Sequence, residues 1–114
     1  MNKGSITTPA GFRAAGVSCG IKGDDQLDLA LIACECPATV AGVFTTNRIK
    51  GHSLQMTLER VISRRKASAL LVNSGNANAC VGKQGTADAH EMAEITAKAL
   101  KIPAEDVLVG STGV

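Results

Sequence analysis

Large side chains are what this sequence has least of. It contains two Phe and no Trp or Tyr, although 45% of its 114 residues are hydrophobic. Its core must therefore be built from Ala, Val, Ile and Leu, each contributing little buried area, and a partner surface would help to complete it. Charge is nearly balanced, at +2, which argues against a dedicated nucleic-acid binder. The basic cluster Arg60, Arg64, Arg65 and Lys66 has no interleaved aromatics on which bases could stack, and a solvated helix end accounts for it. No apolar run approaches the ~20 residues that cross a bilayer. Met1-Asn2-Lys3-Gly4-Ser5 has neither the apolar core of a secretion signal nor the Arg-rich character of a transit peptide. A cytoplasmic protein without membrane contact is the expectation.

Zinc spacing is lacking as well. Cys34 and Cys36 stand two apart, no Cys-x-x-Cys or His pair completes a tetrad, and His90 and Glu91 are adjacent on a helix, where they cannot face one ion. No metal or cofactor is expected, and Cys19, Cys34, Cys36 and Cys80 read as buried free thiols. Gly82 to Gly85 lacks the Gly-Lys-Ser/Thr ending of a phosphate loop.

What is present reads as α/β. Phe12 to Ile21 should form a strand, Lys22-Gly23-Asp24-Asp25 a hairpin turn, and Leu27 to Cys34 a second strand. That second strand is apolar on both faces after Asp28, the pattern of a strand covered on both sides. Glu35-Cys36-Pro37 should end it, with a third strand from Ala38 to Thr45. Leu54, Leu58, Val61 and Ile62 have helical spacing, predicting a helix over 57–65, and Ala67 to Val72 returns to the sheet. Thr86 is a candidate cap for the next helix, whose buried stripe is Ala89, Met92, Ala93, Thr96, Ala99 and Leu100 and which Pro103 stops. The layered α/β sandwich implied is a single partial domain over 1–114.

The stretch 70–114 organises the rest. Leu70-Leu71-Val72 breaks into Asn73-Ser74-Gly75-Asn76-Ala77-Asn78-Ala79-Cys80, a helix follows, and Val107-Leu108-Val109 runs into Gly110-Ser111-Thr112-Gly113-Val114. Loops at strand C-termini are where α/β units usually place reacting groups. By spacing alone both loops read as turns, and Asn73, Ser74, Asn76 and Asn78 either brace their own loop or hold a substrate carboxylate or amide. His52 reads as a loop residue and His90 as a surface residue.

These motifs, with Gly82, Gln84-Gly85, Thr8-Pro9-Ala10-Gly11-Phe12-Arg13-Ala14-Ala15-Gly16-Val17, Asp28-Leu29-Ala30-Leu31-Ile32 and Ala41-Gly42-Val43-Phe44-Thr45-Thr46-Asn47-Arg48, resemble the ornithine acetyltransferase family, the glutamate N-acetyltransferases of arginine biosynthesis. The resemblance runs over essentially the whole chain in order. It implies the N-terminal portion of a two-domain α/β sandwich grouped with the DmpA aminopeptidase architecture. It also implies acetyl transfer from N-acetylornithine to glutamate, with acetyl-CoA a co-substrate in some members. Thr112 and Gly113 match the family's oxyanion-hole pair. The family's nucleophile is a Thr at the start of a second, β chain, freed by self-cleavage of an Ala-Thr bond, and two long and two short chains assemble. The cleavage motif does not occur here, and Ala38-Thr39 lies in the wrong place. The expectation is therefore a segment without its nucleophile, inactive alone, in which a bulky residue at 113 cuts turnover with little loss of folding. The rival expectations are a non-catalytic α/β binding module and an amidohydrolase or aminopeptidase of related architecture.

Overall fold

The computed structural model describes residues 3–23 and 25–113. One four-stranded sheet has the order β1 (Phe12–Val17), β2 (Leu29–Thr39), β3 (Lys66–Gly75), β4 (Val107–Gly113). The first two pairings are antiparallel, and β3 and β4 run parallel. Helix α1 (His52–Arg64) joins β2 to β3, and α2 (Lys83–Leu100) with a short 3₁₀ turn, Ala104–Asp106, joins β3 to β4. This is the expected α/β architecture, with several boundaries moved.

The first strand stops at Val17 and β2 starts only at Leu29, so the two are not joined by a tight hairpin. Gly23 (φ +102°) and Asp25 (φ +63°) take the left-handed angles expected of this turn, while Asp24 lies outside the described residues. The separate strand expected over 38–45 does not form. Pro37 has no N–H to give the ladder, so β2 passes through a register shift between Ala33 and Ala38. Pairing then resumes as Ala38 with Ala67 and Thr39 with Lys66. Beyond Thr39 the chain leaves the sheet, with Val43 wholly exposed.

Helix α1 begins five residues before the expected start, so His52 is its first residue and not part of a loop. Arg65, at φ +57°, ends it and turns the chain directly into β3. Helix α2 begins at Lys83 after Gly82, whose φ is +66°, so Thr86 sits inside the first turn instead of capping it. Its buried face is Ala89, Ala93, Thr96 and Ala97, with Met92 and Leu100 half-buried; Ala99 faces solvent.

Small residues on α2 let it lie close against the sheet. Ala89 and Ala93, both fully buried, pack with Met56, Ala69, Val107 and Val109. A second cluster joins Val61, Ala67 and Leu108, with Val40, Phe44 and Leu70 packed on it. Helix α1 lies along the outer edge of β4. There the Thr57 hydroxyl donates to the Val109 carbonyl (2.6 Å) and accepts from the Val109 N–H (3.1 Å). The Arg60 guanidinium donates to the Val107 carbonyl. A parallel edge strand is thus closed by side chains rather than by another strand. The basic cluster is accordingly more than a solvated helix end, since Arg64 also pairs with the buried Asp106 at 2.7 Å.

The expectation that β2 is covered on both faces fails. Leu29 and Leu31 reach the helix side, but Ala30 is exposed and Ile32, Leu70 and Val72 are only half-buried. Shallow hollows of about 210 and 220 Å³ follow that helix-free face, bordered by Phe12, Ile32, Leu70 and by Leu27, Ala30, Val72. The cysteines are free, as expected, but not buried. Cys19, Cys36 and Cys80 are exposed and Cys34 is half-buried, because they fall on this face and in surface loops. Among the described residues no helix is long and apolar enough to cross a membrane, and no three His, Cys, Asp or Glu side chains cluster as metal ligands.

Candidate functional site

Parallel pairing brings the two loop-bearing strand ends side by side: Asn73 with Ser111, Ser74 with Thr112, and Gly75 with Gly113. Alternation along β4 then divides the Ser-Thr pair. Ser111 points to the helix side, where its hydroxyl donates to Asn73 Oδ1 (2.5 Å) and lies 3.0 Å from Ser53 Oγ at the start of α1. Thr112 takes the opposite face and is exposed, as is Gly113.

Most of the Asn-rich loop is braced, as its composition suggested. Asn73, buried, donates to the Asn76 carbonyl at 2.9 Å. Asn78 joins the two helix starts. Its carbonyl accepts the His52 N–H (2.8 Å), and its amide donates to the Gly85 carbonyl (2.7 Å). A side chain at Gly85 would collide with the His52 ring and with Asn78 Oδ1, so glycine there sets the spacing between α1 and α2. The His52 ring reaches Thr86 Oγ1 through Nδ1 at 3.2 Å, while Nε2 is buried without a partner among the described residues. Sequence reasoning gave Ser53 no role, read His52 as a loop residue and used Gly85 only as part of a family motif, because only the docking of α1 against α2 brings them to this end of the sheet.

Two cavities flank the loop. One, about 510 Å³, lies between α2 and the sheet and takes its polar lining from Asn73, Asn76, Asn78, Gln84, Asp88, Thr96 and Ser111. The other, about 480 Å³, lies between α1 and the 43–44 segment and shares Asn78 and Ser111 with the first. Thr112 and Gly113 line neither; they stand at the rim of the sheet on the other side of Ser111.

Gly113 is held closely. Its φ is +126°, and a Cβ on it would come within 2.6 Å of Asn76 N and 2.7 Å of Gly75 Cα. Glycine is therefore required for the backbones of β3 and β4 to meet at their ends. The expectation that a bulky residue at 113 spares folding is corrected by this contact.

The family model described as "ArgJ family" matches residues 13–114. The chain belongs to the ArgJ family. The arginine biosynthesis bifunctional protein ArgJ of Bacillus thuringiensis is 45% identical over 114 residues, all of this chain and 28% of that protein. That of Shouchella clausii is 50% identical over 113 residues, 98% of this chain and again 28% of the relative. The chain thus spans little more than a quarter of these ArgJ relatives. The crystal structure of the Bacillus halodurans ArgJ protein superposes with a TM-score of 0.92 at 42% identity, covering 97% of this chain and 58% of that one. The Mycobacterium tuberculosis ornithine acetyltransferase, solved in complex with ornithine, superposes at 0.90 with 45% identity, covering 96% and 59%. The four-stranded sheet and its two helices are therefore the ArgJ fold over this region.

Proposed function

We propose that this chain is the N-terminal part, a single partial domain, of the α chain of an acetyltransferase that moves an acetyl group from N-acetylornithine to glutamate. The observation that carries this reading is Thr112-Gly113, exposed at the end of β4 in a chain of the ArgJ family. A hydroxyl and a backbone N–H beside a glycine supply donors to a developing oxyanion, and the missing Cβ lets the reacting carbonyl approach.

The nucleophile in this reading is the N-terminal Thr of a second chain produced by self-cleavage, its own α-amine serving as base. Its hydroxyl oxygen attacks the acetyl carbonyl, giving a tetrahedral oxyanion held by Thr112 and Gly113. Collapse expels ornithine, whose amine takes the proton, and leaves acetyl-Thr. The glutamate amine then attacks that ester, passes through a second oxyanion at the same donors, and returns the free hydroxyl. Acetyl-CoA can enter as an alternative donor to the same acetyl-Thr. Two α and two β chains in the cytoplasm complete the picture. The 114-residue segment alone carries no nucleophile in this scheme.

Intact mass and N-terminal sequencing of the natural gene product test the scheme first. A co-purifying chain that begins with Thr supports it; a lone chain without acetyl transfer overturns it and favours a binding module. In the assembled enzyme, Thr112→Val removes the hydroxyl at constant shape. The expected fall in kcat is about 10²- to 10³-fold, the usual effect of losing one oxyanion donor.

A further inference from the structure

We propose that Asp28 is a positioning residue for this site: it fastens the 18–22 loop under the end of β3 and so holds Gly75 against Gly113. This rests on the reading of Thr112-Gly113 as oxyanion donors.

The clamp is a set of short contacts. Asp28 is 3% exposed, and its carboxylate accepts three backbone N–H groups, from Cys19 (2.7 Å), Ile21 (2.7 Å) and Lys22 (3.1 Å). Its own N–H donates to the Val17 carbonyl at 3.1 Å, and its carbonyl accepts the Ser74 N–H at 2.8 Å. One residue thereby ties together the end of β1, the loop and the end of β3. Only an ionised carboxylate suits the position, because both its oxygens face donors. An amide would turn an NH₂ towards one of those N–H groups.

From the loop the contact passes directly to the site. A Cβ on Gly75 would lie 2.7 Å from Ile21 Cγ2 and 2.9 Å from Lys22 Cγ. The Gly113 backbone in turn lies so close to Gly75 and Asn76 that its own Cβ would overlap both. Loop, Gly75 and Gly113 are stacked with no side chain of β3 or β4 between them. If the loop loosens, Gly75 loses its backing, and the Gly113 N–H loses the placement that oxyanion stabilisation requires.

The test uses the full-length, assembled enzyme, with Asp28→Asn, Ile21→Ala and Thr112→Val measured beside the wild type. Acetyl transfer is followed as kcat and KM, and hydrogen exchange is followed at Cys19, Ile21, Lys22 and Ser74 through Asn76. For Asp28→Asn the expected result is a kcat lowered at least about tenfold with KM within about threefold. Faster exchange should spread from the loop to Asn76. Ile21→Ala leaves the three N–H bonds in place, removes the contact to Gly75 and trims the lining of the 510 Å³ cavity. It should therefore lower kcat less, in the same direction, with KM reporting any effect through the cavity. An unaltered kcat in Asp28→Asn with a loosened loop overturns the proposal, and so does unaltered exchange at Gly75 and Asn76. If Asp28→Asn does not fold, an unaltered kcat in Ile21→Ala overturns it. Full turnover in Thr112→Val would instead sink the oxyanion reading, and exchange at Gly75 and Asn76 would still decide whether Asp28 holds β3.

Discussion

At the residue scale, the surroundings of Gly113, Thr112, Asp28 and Cys19 decide what a change at each does. Gly113→Ala adds a Cβ where the backbones of β3 and β4 already touch, at a φ of +126° that L residues rarely adopt. A loss of about 2–3 kcal/mol in urea denaturation is expected, from strain and overlap together. Thr112→Val, on an exposed residue, should change stability by less than about 0.5 kcal/mol. The contrast separates the two members of the pair: a fall in turnover is clean evidence at Thr112 and is confounded by folding at Gly113. At Asp28 the three N–H donors, that of Cys19 foremost, hold the carboxyl well below the usual carboxylate range. The unfolded chain therefore binds its proton first as pH falls. Asp28 contributes in full above the ordinary value of about 3.9 and progressively less below it. The urea midpoint of Asp28→Asn should accordingly fall less than that of the wild type between pH 5 and pH 3, and equal slopes would contradict the clamp. The same carboxylate, through its hydrogen bond to the thiol, raises the pKa of Cys19. Alkylation at neutral pH should be slower at Cys19 than at exposed Cys36 and Cys80, and should quicken in Asp28→Asn.

At the scale of elements, the notable feature is how β4 ends the sheet. Its outward backbone groups meet Thr57 and Arg60 of α1 instead of another strand. Thr57→Val keeps the shape but leaves the N–H and carbonyl of Val109, a residue 2% exposed, without partners. A destabilisation of about 2 kcal/mol is expected, read as a shift in urea midpoint at constant m-value. A neutral result would mean that water reaches the strand edge. The periodic spacing of Leu54, Leu58 and Val61 revealed the helix but not its extent. His52, Ser53 and Gln55 carry no periodic apolar signal, and α1 starts where the Asn78 carbonyl accepts the His52 N–H. Thr86 had the right chemistry for a cap, yet Gly82 opens α2 a turn earlier and Thr86 bonds His52 instead.

Across the whole molecule, the helices gather on one face and one edge of the sheet. The opposite face keeps Ile32, Leu70 and Val72 half-buried and Leu27 69% exposed, and the segment after β2 leaves Val43 fully exposed beside α1. Apolar surface of that extent favours association. The isolated 114-residue chain should bind a hydrophobic dye and elute at a concentration-dependent size, whereas it should do neither within the two-chain assembly proposed above. A dye-free monomer at all concentrations would mean that this face closes on itself. The sequence suggested such incompleteness through its scarcity of aromatics. Reading β2 as covered on both sides was the complementary error, since apolar alternation cannot tell a face that is covered from one that awaits a cover.

Local chemistry determined the elements and their order here. The β3–loop–α2–β4 unit, the glycine-bearing strand ends and the small residues of α2 are all legible in 70–113, because propensity and periodicity act over a few residues. The reading of Thr112-Gly113 as oxyanion donors has a different ground and stands as a proposal: it rests on the family to which the chain belongs, and not on any local pattern. Tertiary structure alone decided that Asn78 joins two helix starts, that Thr57 closes the edge of β4, and that Asp28 reaches the end of β3. Each depends on residues distant in sequence brought within hydrogen-bonding range by packing, and no local pattern encodes that proximity.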